Sequence, residues 1–108
     1  GGMGTWELAS ARPDLYAAIA PVAAHHKAEH EPCLASSLQR MPTFIMHSES
    51  DETCPFTQEE ALWTRLFDIE KNPYMQVNVA RHLCHGTMYE RAYCDDTVLY
   101  DWLLQHVQ

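Results

Sequence analysis

Basic residues are scarce in this chain. Its 7 Lys and Arg face 15 Asp and Glu, for a formal net charge of −8. Binding to a phosphate backbone needs clustered Lys and Arg, so this balance argues against a nucleic-acid partner. Long apolar runs are missing as well. No stretch approaches the roughly 20 residues of a membrane-spanning helix, and no basic start leads into an apolar signal core. No membrane partner is expected, and no compartment can be read. The four cysteines, Cys33, Cys54, Cys84 and Cys94, form no CxxC pair, which removes a zinc-ribbon reading. Their even number fits either two disulfides or four reduced thiols. Repeats, low-complexity tracts and interdomain linkers are also absent, so the 108 residues are one small domain or a piece of a larger one.

What is present is organised around the stretch Met41 to Pro55. Pro42 stands at the entrance of a strand, where its missing N–H does little harm. Thr43 to Met46 form a short apolar run, as in a strand covered on both faces. Ser48 to Thr53 supply turn chemistry, and Pro55 stops the loop ahead of a helical pattern. Asp51 therefore falls just past the C-terminal end of a strand, where open α/β sheets place their working groups.

The flanking segments alternate in type. Thr5 to Arg12 predict a short helix ended by Pro13, with Trp6, Leu8, Ala9 and Ala11 as its apolar face and a glycine cluster ahead of it. Leu15 to Ala23 are apolar throughout and predict a buried strand, although the alanines also allow a helix. The polar, His-rich stretch 25–32 predicts a loop, and 33–38 about one helical turn. Thr57-Gln58-Glu59-Glu60 reads as a capping box that opens a helix with Leu62, Leu66 and Ile69 at helical spacing, ended by Asn72-Pro73. Tyr74 to Ala80 alternate cleanly and predict a strand, followed by a loop over 81–86. Val98, Leu99, Trp102, Leu103 and Val107 mark a last amphipathic helix, with Asp95-Asp96-Thr97 at its start. Helix, strand, loop, strand, helix, strand, helix is the order of an α/β protein: three mostly parallel strands with flanking helices.

Two successive strand-end loops carry Asp51 and His85. Parallel strands put both on one sheet edge, where the carboxylate can fix the tautomer of the imidazole and stabilise the imidazolium formed in proton transfer. Glu49 and Glu52 are the competing carboxylates, and His82 is the competing imidazole. Each of these residues, taken alone, also fits a solvated loop. His26 and His30 are spaced i, i+4, so on a helix they would share a face and could hold zinc with Cys33. Against that stands the polar character of the segment, which argues for a loop and for no metal. Cys54 and Cys84 flank the acid and the base, where small apolar fillers are the expected role.

The series Gly1-Gly2-Met3-Gly4-Thr5-Trp6, then Pro13-Asp14-Leu15-Tyr16-Ala17-Ala18-Ile19-Ala20-Pro21-Val22, then His47-Ser48-Glu49-Ser50-Asp51-Glu52-Thr53-Cys54-Pro55, then Cys84-His85-Gly86, resembles the α/β-hydrolases. More narrowly it is similar to the C-terminal half of the esterases that include feruloyl-esterase-like, polyhydroxybutyrate-depolymerase-like and predicted-peptidase enzymes. Ala92 to Leu104 resemble that group's last helix. The resemblance spans nearly the whole chain. It implies that Gly1 is the last glycine of a Gly-x-Ser-x-Gly elbow, with the serine two positions before residue 1. The chain is then a partial hydrolase domain, 1–108, without its nucleophile-bearing part and inactive by itself. The apolar stretch 15–23 is expected to expose an unpaired edge.

By the same resemblance Asp51 matches the acid and His85 the base of a Ser–Asp–His triad acting by acyl transfer on a small-molecule ester, a chemistry that needs no cofactor. Trp6, close to the elbow, is the candidate for lining an acyl pocket, with core packing as its competing role. Ser48 and Cys84 depart from the pattern, since both stand where the family usually has Gly. Within enzymes the rival readings are a peptidase or a dienelactone-hydrolase-like activity. Outside them the rival is a catalytically inactive or metal-binding α/β module.

Overall fold

The computed structural model describes residues 2–95 and 97–106. Its centre is a two-stranded parallel sheet, β1 (Thr43–Ser48) beside β2 (Met75–Ala80), in register from Thr43 opposite Met75 to Ser48 opposite Ala80. Every residue of β1 is buried: the apolar run Thr43 to Met46 predicts this, and the polar His47 and Ser48 extend the buried strand beyond it. In β2, by contrast, Gln76 and Val79 are exposed and the other residues half-buried. Around the sheet stand α1 (Gly2–Ala11), α2 (Glu31–Ser37), α3 (Phe56–Thr64), α4 (His85–Glu90) and α5 (Val98–Leu104).

The alternation of side chains along β1 sorts the core into two layers. Ile45 faces Trp6, Ala9, Leu34, Leu38, Leu62 and Leu66, which belong to α1, α2 and the α3 crossover with the turns that follow them. Phe44 and Met46 face Met88, Ala92, Leu99 and Trp102 from α4, its extension and α5. The Phe44 and Trp102 rings lie 5.3 Å apart. Burying a side chain such as Phe44 or Ile45 contributes about 2–3 kcal/mol, so β1 carries a large share of the fold's stability.

The expected third strand over 15–23 is not a strand among the described residues. It touches β1 through two isolated parallel bridges, Ile19 with Thr43 and Val22 with Met46. The backbone still bonds as a ladder at both places: Ile19 N–H donates to Pro42 O, Phe44 N–H to Ile19 O, Met46 N–H to Pro21 O and Ala23 N–H to Met46 O. Both bridges share one register, and Pro21 lies between them with no N–H to complete it. Ala23, at φ 48°, then turns the chain out of the extended region. The outer edge, Ala18 to Ala20, borders an open apolar groove with Leu8 and Leu103 on its other sides.

Other differences have local causes. The capping box does not form: α3 begins at Phe56 with Pro55 at its N-cap and no side-chain cap. Thr57 therefore lies inside the first turn instead of ahead of it, and Glu60 has no cap to reach back to; Glu59 is drawn into the core. The helix then widens into a π turn over Arg65–Ile69, closed by Glu70 N–H on Arg65 O, and Ile69 leaves the buried stripe for solvent. Asn72 ends this segment as expected. Its buried carboxamide donates to Leu38 O and Met41 O and accepts from Tyr74 N–H, joining α2, the crossover and β2. The loop expected over 25–32 contains a 3-10 turn and the start of α2. The loop over 81–86 gives way to α4 at His85. Val107 and Asp96 lie outside the described residues. Gly2 is required by contact: a Cβ there would stand 2.4 Å from Ala24 Cβ, so only glycine lets α1 approach the 22–24 segment this closely.

Candidate active site

The parallel register delivers two loops to one sheet edge. Asp51 follows β1 by three residues and His85 follows β2 by five. The loops are stitched together by Glu49 N–H on Ala80 O at 2.7 Å and by the Ser50 hydroxyl on Arg81 O. His85 Nδ1 lies 2.7 Å from Asp51 Oδ2. The carboxylate is buried and the imidazole partly exposed, so the pair has a sheltered end and an open one.

Asp51 is held from both sides. Its Oδ1 accepts the N–H groups of Thr53 at 2.8 Å and Cys54 at 2.7 Å, a local turn that the Ser-rich loop allows. Burial alone would raise the carboxyl pKa. The Cys54 N–H, the His85 ring and the Thr53 N–H outweigh it and hold Asp51 below the usual carboxylate range. It is therefore an anion at neutral pH, as an acceptor for His85 Nδ1–H must be. With the proton on Nδ1, Nε2 is the basic ring nitrogen.

Two more residues complete the support, one of which, His47, sequence reasoning passed over. His47, fully buried on the Ile45 side of β1, donates through Nε2 to Cys54 O at 2.8 Å and lies 3.8 Å from Asp51 Oδ2. Phe56 and Trp63 pack around its ring. Its place in the alternation of β1 showed which way it points; that its ring meets the loop carbonyl depends on how the loop folds back. Glu52, weighed only as an alternative acid, turns its carboxylate to the backbone N–H of His85 at 3.3 and 3.4 Å. There it complements the N-terminal end of α4. His82 and Glu49 are exposed.

The remaining candidates separate. Trp6 is fully buried in the core, and its indole N–H donates to Glu59. His26 is buried with its two ring nitrogens on Glu59 and Glu31, His30 reaches Glu7 through Nδ1, and Cys33 is exposed. Among the described residues these three form no metal-ligating group. Burial, together with the charges of Asp51 and Glu59, pushes the Cys54 thiol up. The Thr87 hydroxyl, 2.8 Å from Cys84 Sγ, draws that exposed thiol down. All four cysteines are free thiols. Asp51, Cys54 and His85 together place three possible metal-donor atoms within 4.8 Å of one another.

No protein-family profile matches the chain, and no curated protein does either. Among solved structures, that of a thermostable esterase matches with a TM-score of 0.81 at 20% sequence identity. The match covers 100% of this chain and 29% of the esterase, so the chain spans less than a third of that protein's length. Over its whole length, this chain shares the fold of part of an esterase.

Proposed function

We propose that Asp51 and His85 are the acid and base of a serine hydrolase, and that the full-length protein cleaves carboxylic esters. The 2.7 Å bond between Asp51 Oδ2 and His85 Nδ1 at the C-terminal ends of two adjacent parallel strands carries this reading. The order Asp before His and the esterase-like fold support it. The nucleophile is a serine carried outside these 108 residues, and the chain is the C-terminal part of that hydrolase domain.

The chemistry follows from the tautomer. His85 Nε2 takes the serine proton as Oγ attacks the ester carbonyl, while Asp51 stabilises the imidazolium. His85 then gives that proton to the departing alkoxide, leaving an acyl-enzyme. A water, deprotonated by the same nitrogen, releases the acid and restores the serine. The buried carboxylate keeps its charge through the cycle because its three hydrogen bonds persist.

Hydrolysis of short-chain p-nitrophenyl esters by the full-length protein tests the proposal. Asp51→Asn and His85→Ala are expected to lower kcat on the order of 10³-fold or more, and His82→Ala to leave it within about twofold. Unchanged turnover in His85→Ala would sink the proposal.

A further inference from the structure

The Cys54 thiol has no part in that mechanism, yet it stands beside the acid–base pair. A carboxylate oxygen of Asp51, the Cys54 sulfur and a ring nitrogen of His85 are all within 4.8 Å of one another. A tetrahedral zinc ion, with bonds of about 2.0–2.3 Å, sets its donors roughly 3.3–3.8 Å apart. The three side chains thus need only small adjustments to enclose one ion.

The backbone is already fixed for this. The Cys54 N–H is bonded to Asp51 Oδ1, and its carbonyl accepts His47 Nε2–H. The two loops are held together by Glu49 N–H on Ala80 O and the Ser50 hydroxyl on Arg81 O, which remain when the ion replaces the Asp51–His85 bond. Outer bonds of this kind orient metal ligands and limit what must be ordered on binding. Carboxylate, imidazole and thiolate together select a borderline-soft divalent ion over magnesium or calcium.

We propose that Asp51, Cys54 and His85 form a binding site for a zinc-type divalent cation that switches the acid–base pair off. Binding releases the thiol proton to solvent. The ring proton moves from His85 Nδ1 to Nε2 as Nδ1 becomes a ligand, and a water completes the fourth position. An Nε2 that carries hydrogen accepts none, so the base is lost while the ion stays. The switching role rests on the hydrolase reading; the binding itself does not.

Cadmium, which binds like zinc and gives an ultraviolet thiolate-to-metal band, is the direct probe on the full-length protein. Saturable one-to-one binding is expected, with a band that disappears in both Cys54→Ser and Cys54→Ala, persists in Cys84→Ser, and is displaced by zinc but not by magnesium. Affinity should fall at least tenfold in His85→Ala. Cadmium NMR of the unmodified protein, which needs no variant to fold, should show a single-sulfur environment. A band unchanged by loss of Cys54, or no sulfur-bound cadmium in the NMR spectrum, would overturn the site. If the hydrolase reading fails instead, the band remains and ester turnover is absent with or without zinc. If only the switch fails, cadmium binds as expected and saturating zinc leaves turnover unchanged.

Discussion

His26 Nδ1 lies 2.7 Å from Glu59 Oε2, and both side chains are buried in the core. The other ring nitrogen, Nε2, is 3.0 Å from Glu31 Oε1, and Glu31 in turn lies 3.6 Å from Arg65 Nε. Glu59 also accepts the Trp6 indole N–H. Two carboxylates have only lone pairs to offer, so both imidazole nitrogens must donate and the ring is held as a cation. This network ties α1, α2 and the α3 crossover together through the layer that backs β1.

The network makes stability depend on pH in a defined direction. Burial would lower the His26 pKa, but its bonds to Glu59 and Glu31 and their charges raise it overall. A raised folded-state pKa contributes stability that is complete below the unfolded value of about 6.5 and is lost as pH rises through the folded value. Thermal melts should therefore show the difference between wild type and His26→Gln largest near pH 6 and shrinking in alkali. A difference that grows with pH would contradict this.

Glu59→Gln removes the charge that the buried imidazolium faces. Breaking one side of a buried pair costs about 3 kcal/mol or more, and urea unfolding would register it. Thr57→Ala, at the position read as an N-cap but making no cap, should shift stability by less than about 0.5 kcal/mol.

Gly2→Ala and Gly4→Ala should act in opposite directions. At Gly2 the new methyl meets Ala24 at 2.4 Å, an overpacking of about 1–3 kcal/mol. At Gly4 a methyl would enter open space, and alanine in a helix gains about 0.5–1 kcal/mol over glycine. Chemical denaturation of the two variants side by side checks both signs.

Asn72→Ala deletes three hydrogen bonds that join α2 to the entry of β2. Leaving those buried backbone groups without partners should cost about 2–3 kcal/mol. Asn72→Asp, which cannot donate to the two carbonyls, should cost no less. A loss under about 0.5 kcal/mol in either variant would show that the carbonyls find other partners.

The sequence by itself determined β1, β2 and the placement of Asp51 and His85 at one sheet edge. Continuous burial, period-two alternation and proline punctuation are local signals, and parallel pairing needs only their order. It also marked where the crossover helix stops, since Asn72-Pro73 cannot continue it. The tertiary structure alone decided which acidic side chains are inside. Glu59 is one of two adjacent acids in the first turns of a helix, ordinarily a solvated place, and only the approach of His26 and Trp6, 33 and 53 residues away in sequence, makes its burial affordable. The same holds for 15–23, where an apolar run predicts a strand but Pro21 and the turn at Ala23 leave two bridges. His47 completes the contrast: its strand was legible, but its bond to Cys54 O exists because the following loop folds back. Local propensity fixes what an element is. Which polar groups it buries depends on partners that only the folded chain brings within bonding distance.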